Sequence, residues 1–292
     1  MTSRTIETLY EQVRNAAPAA APFATPEVEQ VAPGIRVLAL RTPTLPPAAH
    51  TNVYLVGSEI GPVAVVDPGS PYPDQQAVLD EVLGRIPIDL VLLTHHHGDH
   101  IGGASALAER WGVPIAAHVA TARRLEGVVE VSRLIADGEH VHGLTAVHTP
   151  GHAEGHLCFE HAEAGATIAG DMVAGIGTIL IDPSEGDMAL YLASLELLLA
   201  RPPMMLLPAH GPAIPDGPAK LREYLAHRRM REERVVCSLP EAPATLNELL
   251  PIAYGDTPRM LWPLAERSLR AHLDKLVNDG RARFDGKARW SR

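Results

Sequence analysis

The apolar run Asp89-Leu90-Val91-Leu92-Leu93-Thr94 passes without a break into His95-His96-His97-Gly98-Asp99-His100, and this junction constrains the fold more than any other feature of the chain. Consecutive Leu and Val residues suit a strand covered on both faces, because a half-exposed strand would alternate apolar with polar residues. The end of such a strand is a rigid base with an open front. In an extended chain, alternation puts His95 and His97 on one side and His96 on the other. Gly98 then supplies a turn that brings in Asp99 and His100. Imidazole and carboxylate together suit a borderline cation such as zinc, and iron or manganese fit the same donors less selectively.

The rest of the chain supports a layered α/β sandwich. From Gly34 onward, short β-branched runs (IRVLAL, NVYLVG, VAVVDPG, DLVLLT, then PIAAHV, LTAVHT, LCFEH, ATIAG and MMLLP) come in bursts separated by helical segments at Pro73–Gly84, GASALAERWG and DMALYLASLELLLA. Three further groups each follow or end an apolar run and can complete a metal shell: His152, Asp171 and His210. The segment MVAGIGTILIDPSEGD, after Asp171, is the expected substrate-facing wall. Before Gly34, residues 1 to about 17 read as a short helix with Ile6, Leu9, Tyr10 and Val13 on one side, followed by an Ala/Pro arm that no helix can continue. The expected divisions are residues 1–33, 34–215 and 216–292.

After Pro215 the pattern changes to a long charged helix, a second helix opened by a Thr245/Glu248 capping box, a third ending at Gly280, and a hairpin about Asp285-Gly286. Helix, helix, helix, hairpin is a winged-helix order. From Pro218 to the end there are 15 Lys plus Arg against 10 Asp plus Glu, whereas the whole chain has a net charge of -10. That acidity argues against coating nucleic acid or an anionic membrane through bulk charge. Cys158 and Cys237 lie too far apart for a zinc knuckle and both read as small core residues. No signal-peptide pattern or membrane-spanning run is present, so the expectation is a cytoplasmic protein.

With these motifs in hand, THHHGDHIGG, TPGHAEGH, AGD and PAHGP, preceded by VVDPGS, resemble the metallo-β-lactamase superfamily across roughly Gly34 to Pro212. The resemblance implies a four-layer αβ/βα sandwich and a hydrolase in which two zinc ions activate a water molecule. It places His95, His97 and His152 on one metal and Asp99, His100 and His210 on the other, with Asp171 bridging. It also makes Asp67 a carboxylate behind the ligands that orients an imidazole, and Asp99 the expected proton acceptor. His96, His148 and His156 are not ligands in this scheme.

Substrate class stays open at this point. The metal motifs resemble glyoxalase II and suit a small ester, thioester or lactone. A catalytic domain followed by a winged helix resembles the β-lactamase-like endoribonucleases, with Arg281, Arg283 and Lys287 as candidate RNA contacts. Weak promiscuous β-lactamase activity and a non-enzymatic, metal-binding regulatory role are further alternatives. A homodimer built on the tail or the N-terminal arm is compatible with any of them.

Overall fold

Strand pairing sorts the apolar runs into two sheets. The computed structural model describes residues 6–16, 26–58, 61–84, 86–201 and 205–292. The first sheet has the order β1 (Glu29–Ala32), β2 (Ile35–Arg41), β3 (His50–Val56), β4 (Val63–Val66), β5 (Ile88–Leu92), β6 (Ile115–Ala117) and β7 (Arg133–Leu134). The second runs from β8 (His140–Val141) through β9 (Leu144–His148), β10 (Leu157–His161) and β11 (Ala166–Gly170) to β12 (Met205–Pro208). The helices are α1 (Ile6–Ala16), α2 (Pro73–Leu83), α3 (Gly98–Ile101), α4 (Ala104–Trp111), α5 (Val119–Arg124), α6 (Met188–Ala200), α7 (Gly217–Ser238), α8 (Leu246–Ala253) and α9 (Trp262–Asn278).

Period-two alternation decides which layer each strand residue joins. Ala64 and Val66 of β4, with Leu90 and Leu92 of β5, meet Leu144, Phe159 and Ile168 of the second sheet in the central core. Their neighbours Val63, Val65 and Val91 pack outward on Leu79 and Leu83 of α2 and Leu107 of α4. The far face of the second sheet buries Val147, Cys158 and Ala169 against Tyr191, Leu195 and Leu198 of α6 and Leu221 and Leu225 of α7. Helix, sheet, sheet, helix is thus the four-layer order. Each fully buried large side chain in it contributes roughly 1.5–3 kcal/mol.

β1 lies inside the segment expected to be an arm. Only Ala32 of its four residues is buried, so the run has almost no apolar signal. It holds the sheet edge by antiparallel pairing with β2. Most of the Ala/Pro stretch falls outside the described residues. α1 buries Val13, and Arg14 donates to the Pro43 carbonyl at 2.8 Å.

The C-terminal unit completes three helices with a small sheet of β13 (Ala244–Thr245), β14 (Arg283–Phe284) and β15 (Arg289–Ser291) around the fully buried Trp290. Together with the helices this is a winged-helix domain. The Thr245 backbone and hydroxyl both donate to Glu248 at 2.8 Å, closing the capping region. The hairpin loop is wider than a two-residue turn: Asp285 accepts from the backbones of Lys287 and Arg289, at 2.6 and 3.1 Å, and Ala288 adopts φ 63°. α7 contributes Leu221 and Leu225 to the sandwich and Val235 to the C-terminal core. Cys237 is exposed on that helix, contrary to its expected core placement, because the last turns of α7 bury only the side carrying Val235 and Ser238.

Candidate metal centre

Five of the strands deliver their C-terminal ends to one edge of the sandwich, and the expected ligands sit just beyond those ends. His95 follows β5, His152 follows β9, Asp171 follows β11 and His210 follows β12, while His97, Asp99 and His100 come from the turn into α3. β4 contributes Asp67 at its own end. Close approach of these loops needs glycine. A Cβ on Gly69 would lie 1.7 Å from the Asp99 carbonyl oxygen, and one on Gly170 would lie 2.5 Å from His156 Nε2.

The seven side chains form two groups. His95, His97, His152 and Asp171 each offer a ligand atom within 4.8 Å of the others, and so do Asp99, His100 and His210. Asp171 lies between them. Its Oδ2 is 3.5 Å from His152 Nε2, and its Oδ1 is 3.3 Å from His210 Nε2 and 3.6 Å from His100 Nε2.

Outer hydrogen bonds set the tautomers. His152 Nδ1 donates to the Leu180 carbonyl at 2.8 Å, His210 Nδ1 to the His50 carbonyl at 2.9 Å, and His100 Nδ1 to Asp67 at 2.8 Å. His97 Nε2 donates to Glu185 at 2.9 Å. Thr94 spends its only hydroxyl proton on Asp67, at 2.6 Å, and so accepts from His95 Nδ1 at 2.9 Å. In its neutral form each imidazole presents a lone pair on its inner nitrogen. The three inner nitrogens of the first group converge, with His97 Nδ1 2.9 Å from His95 Nε2 and 3.0 Å from His152 Nε2. His100 Nε2 and Asp171 Oδ1 are buried with no hydrogen-bond partner. Lone pairs packed this closely, beside orphaned buried polar atoms, fit a pair of bound divalent cations.

The electrostatics agree. Burial, reinforced by the neighbouring imidazoles, holds His95 well below its ordinary value, and burial with His97 brings His152 down to about 4. Burial opposes the charge on His100, but Asp171, Asp67 and Asp99 carry it up to about 10. Burial opposes ionisation of Asp171 too, yet His210, His100 and His152 hold its carboxyl well below the usual range. A metal entering this site must displace the His100 proton, so occupancy falls as pH falls.

Asp67 is buried and adopts φ 52°, which aims its carboxylate back at Thr94 and His100. His156 accepts from the Asp171 backbone N–H at 3.1 Å and stays outside both ligand groups. His148 stacks on His118 with ring centroids 4.2 Å apart. Glu185 escaped the sequence reading. It binds both His97 and His96, the latter at 3.1 Å, and no spacing relative to the histidines marks it. Inclusion of Glu185 in the expected wall segment was the only available signal.

A cavity of about 560 Å³ opens from Asp99, His152, Asp171 and His210 toward the winged helix. Ile176, Ile179 and Leu180 line it, as expected for that segment, together with Leu261, Leu264 and Ala265 of the C-terminal unit. Tyr10 of α1 adds to the lining. Arg281, Arg283 and Lys287 are not among the lining residues. Arg281 instead pairs with Glu232 and Glu233 at 2.6 and 2.9 Å.

Comparison with known proteins agrees with this architecture. Residues 46–210 match the family described as Metallo-beta-lactamase superfamily, and residues 245–290 match the Beta-lactamase associated winged helix domain. The chain is 30% identical over 258 residues to Beta-lactamase-like protein 2 homolog of Drosophila melanogaster, covering 82% of this chain and 86% of that one. It is 30% identical over 286 residues to Atrochrysone carboxyl ACP thioesterase of Claviceps purpurea, covering 91% and 88%. A beta-lactamase domain protein from Burkholderia ambifaria superposes with a TM-score of 0.80 at 24% identity, over 94% of this chain and 95% of that one.

Proposed function

The chain belongs to the metallo-beta-lactamase superfamily as a hydrolase of that fold, and from that premise we propose that it cleaves small acyl thioesters with two zinc ions. The carrying observation is the bridging position of Asp171 between two ligand groups at the mouth of a cavity with apolar walls. Such walls suit an acyl chain better than a polyanion, and the name of the Claviceps relative supports a thioester bond. Divalent cations bound here would supply a water activated at neutral pH and polarise the scissile carbonyl.

The chain's own groups do the remainder. His95, His97 and His152 would hold one cation and Asp99, His100 and His210 the other, with Asp171 available to both. Asp99 lines the cavity, where it orients the attacking water and accepts its proton. The hydroxyl joins the acyl carbon, the carbon–sulfur bond breaks, and the proton leaves with the thiol. The carbonyl that fixes His152 belongs to Leu180 itself, so the acyl wall and a candidate ligand imidazole share one segment.

Metal analysis of the purified protein is expected to find about two zinc ions per chain, with thioester turnover lost on chelation and restored by zinc. A panel of thioester, lactone, cephalosporin, phosphodiester and single-stranded RNA is expected to favour the thioester. Chelator-indifferent activity would overturn the metal assignment. Turnover of RNA with inert thioesters would overturn the substrate.

A further inference from the structure

The far end of the same cavity is built from α7 and the winged helix, and its chemistry is cationic. Arg228 and Arg231 both line it, although only 3% and 7% of their surfaces are exposed. Arg228 donates one N–H to the Ile179 carbonyl and lies 5.2 Å from the centre of the Tyr191 ring, its Nε is buried with no partner, and no acidic side chain among the described residues pairs with it. Arg231 binds the Ala253 carbonyl at 2.7 Å and Asp256 at 2.9 Å, and its Nε is likewise unpartnered. Asp256 is also shared with Arg234. Two guanidiniums therefore share one carboxylate, and Arg228 has none.

A buried guanidinium without a counter-charge is costly, and one that lines a cavity has a use for an incoming anion. The nearby field has the same sign. Burial, then Arg228, Lys275 and Arg231, push the His272 imidazole down to about 3. The planar guanidinium fork matches a carboxylate. Ile176, Leu261 and Leu264 line the same cavity.

We propose that Arg228, assisted by Arg231, forms a carboxylate-binding subsite, so that the preferred substrate is a thioester carrying a carboxylate away from the scissile bond. This rests on the acyl-hydrolase reading for the other end of the ligand. The carboxylate belongs either to the acyl group or to the thiol.

The zinc-loaded enzyme is tested with octanedioate and octanoate by calorimetry, since either acid can place one carboxylate on the metals and only the first has a second to offer. Octanedioate is expected to bind at least about tenfold more tightly, with the preference abolished in Arg228→Gln and partly kept in Arg228→Lys. Hydrolysis of N-acetylcysteamine thioesters is read in parallel, as the ratio of kcat/KM for a carboxy-terminated acyl chain over its methyl-terminated counterpart. That ratio is expected to fall toward one in Arg228→Gln whatever happens to the neutral substrate. An octanoyl thioester of 6-mercaptohexanoate tests the thiol side; an Arg228-dependent preference for it over the N-acetylcysteamine ester puts the carboxylate there.

Equal binding of the two acids by the wild type, or a preference that survives Arg228→Gln, overturns the subsite. A purely structural Arg228 that only ties down the Ile179 carbonyl would lower turnover of both thioesters together and leave their ratio unchanged. Inert thioesters with an intact, Arg228-dependent acid preference would overturn the reaction assignment and leave the subsite standing.

Discussion

Four carboxylates, Asp67, Asp99, Asp171 and Glu185, converge with imidazoles at one end of the cavity, whereas at the other end Arg231 shares Asp256 with Arg234 and Arg228 has no acidic partner among the described residues. The acid-rich end is arranged for cations and the arginine-rich end for an anion. The two ends also differ in how firmly they are held. Each imidazole at the candidate metal centre is fixed by an oxygen behind it, while Arg228 is held by one carbonyl and the face of the Tyr191 ring, and its Nε has no partner. A rigid constellation suits a reaction with demanding geometry, and loosely committed donors suit recognition.

Asp67→Asn attacks the rigid end directly, because an amide N–H would then oppose the N–H of either Thr94 or His100. Zinc affinity is expected to fall roughly 10- to 100-fold, measured by competition with a chromogenic chelator. Unchanged affinity would mean that the backing hydrogen bonds do not hold the ligands. The next effect concerns the join between the ends, where Arg267 of α9 makes a two-pronged contact at 2.6 and 2.7 Å with the buried Asp182 of the cavity-wall segment. Arg267→Gln is expected to lower stability by about 2 kcal/mol, read from urea unfolding of the zinc-loaded protein. An unmoved midpoint would show the two ends to be independent.

The smallest effect sharpens the contrast in charge. His272 on α9 is buried with both ring nitrogens unpartnered, and burial with Arg228 and Arg231 of α7 and Lys275 of its own helix lowers it from 6.5 to about 3. The folded imidazole stays neutral where the unfolded one gains a proton, so stability is complete above pH 6.5 and declines as pH falls toward 3. The slope from this group is roughly 1.4 kcal/mol per pH unit at most, and His272→Leu is expected to remove it from the pH dependence of unfolding. A slope identical in the variant would place the acid sensitivity elsewhere.

Legibility followed locality. The run from Thr94 to His100, and the short motifs around His152, Asp171 and His210, are visible because a strand and the turn after it are contiguous in the chain. The four layers are visible because β4 and β5 are apolar on both faces. Glu185 was hidden because it reaches His97 across 88 positions with no periodic pattern to mark it. β1 was hidden because an edge strand is specified by backbone pairing more than by its side chains. The cationic end of the cavity was hidden for a further reason: on a charged helix the buried Arg228 and Arg231 read no differently from the exposed Arg229 and Arg234 beside them. Arg281, Arg283 and Lys287, the basic residues that the winged-helix order singles out, are not among the cavity lining.

α7 has a consequence for how the molecule comes apart. Its 22 residues lend Leu221, Tyr224 and Leu225 to one core and Val235 to another, with Arg228 and Arg231 in the stretch between. Melting either core strips the supporting face from part of the same rod, and a helix end without tertiary cover has little stability of its own. The catalytic sandwich and the winged helix are therefore expected to lose structure in one shared, cooperative step, so that the cavity between them vanishes as a unit and cannot persist in a half-folded chain.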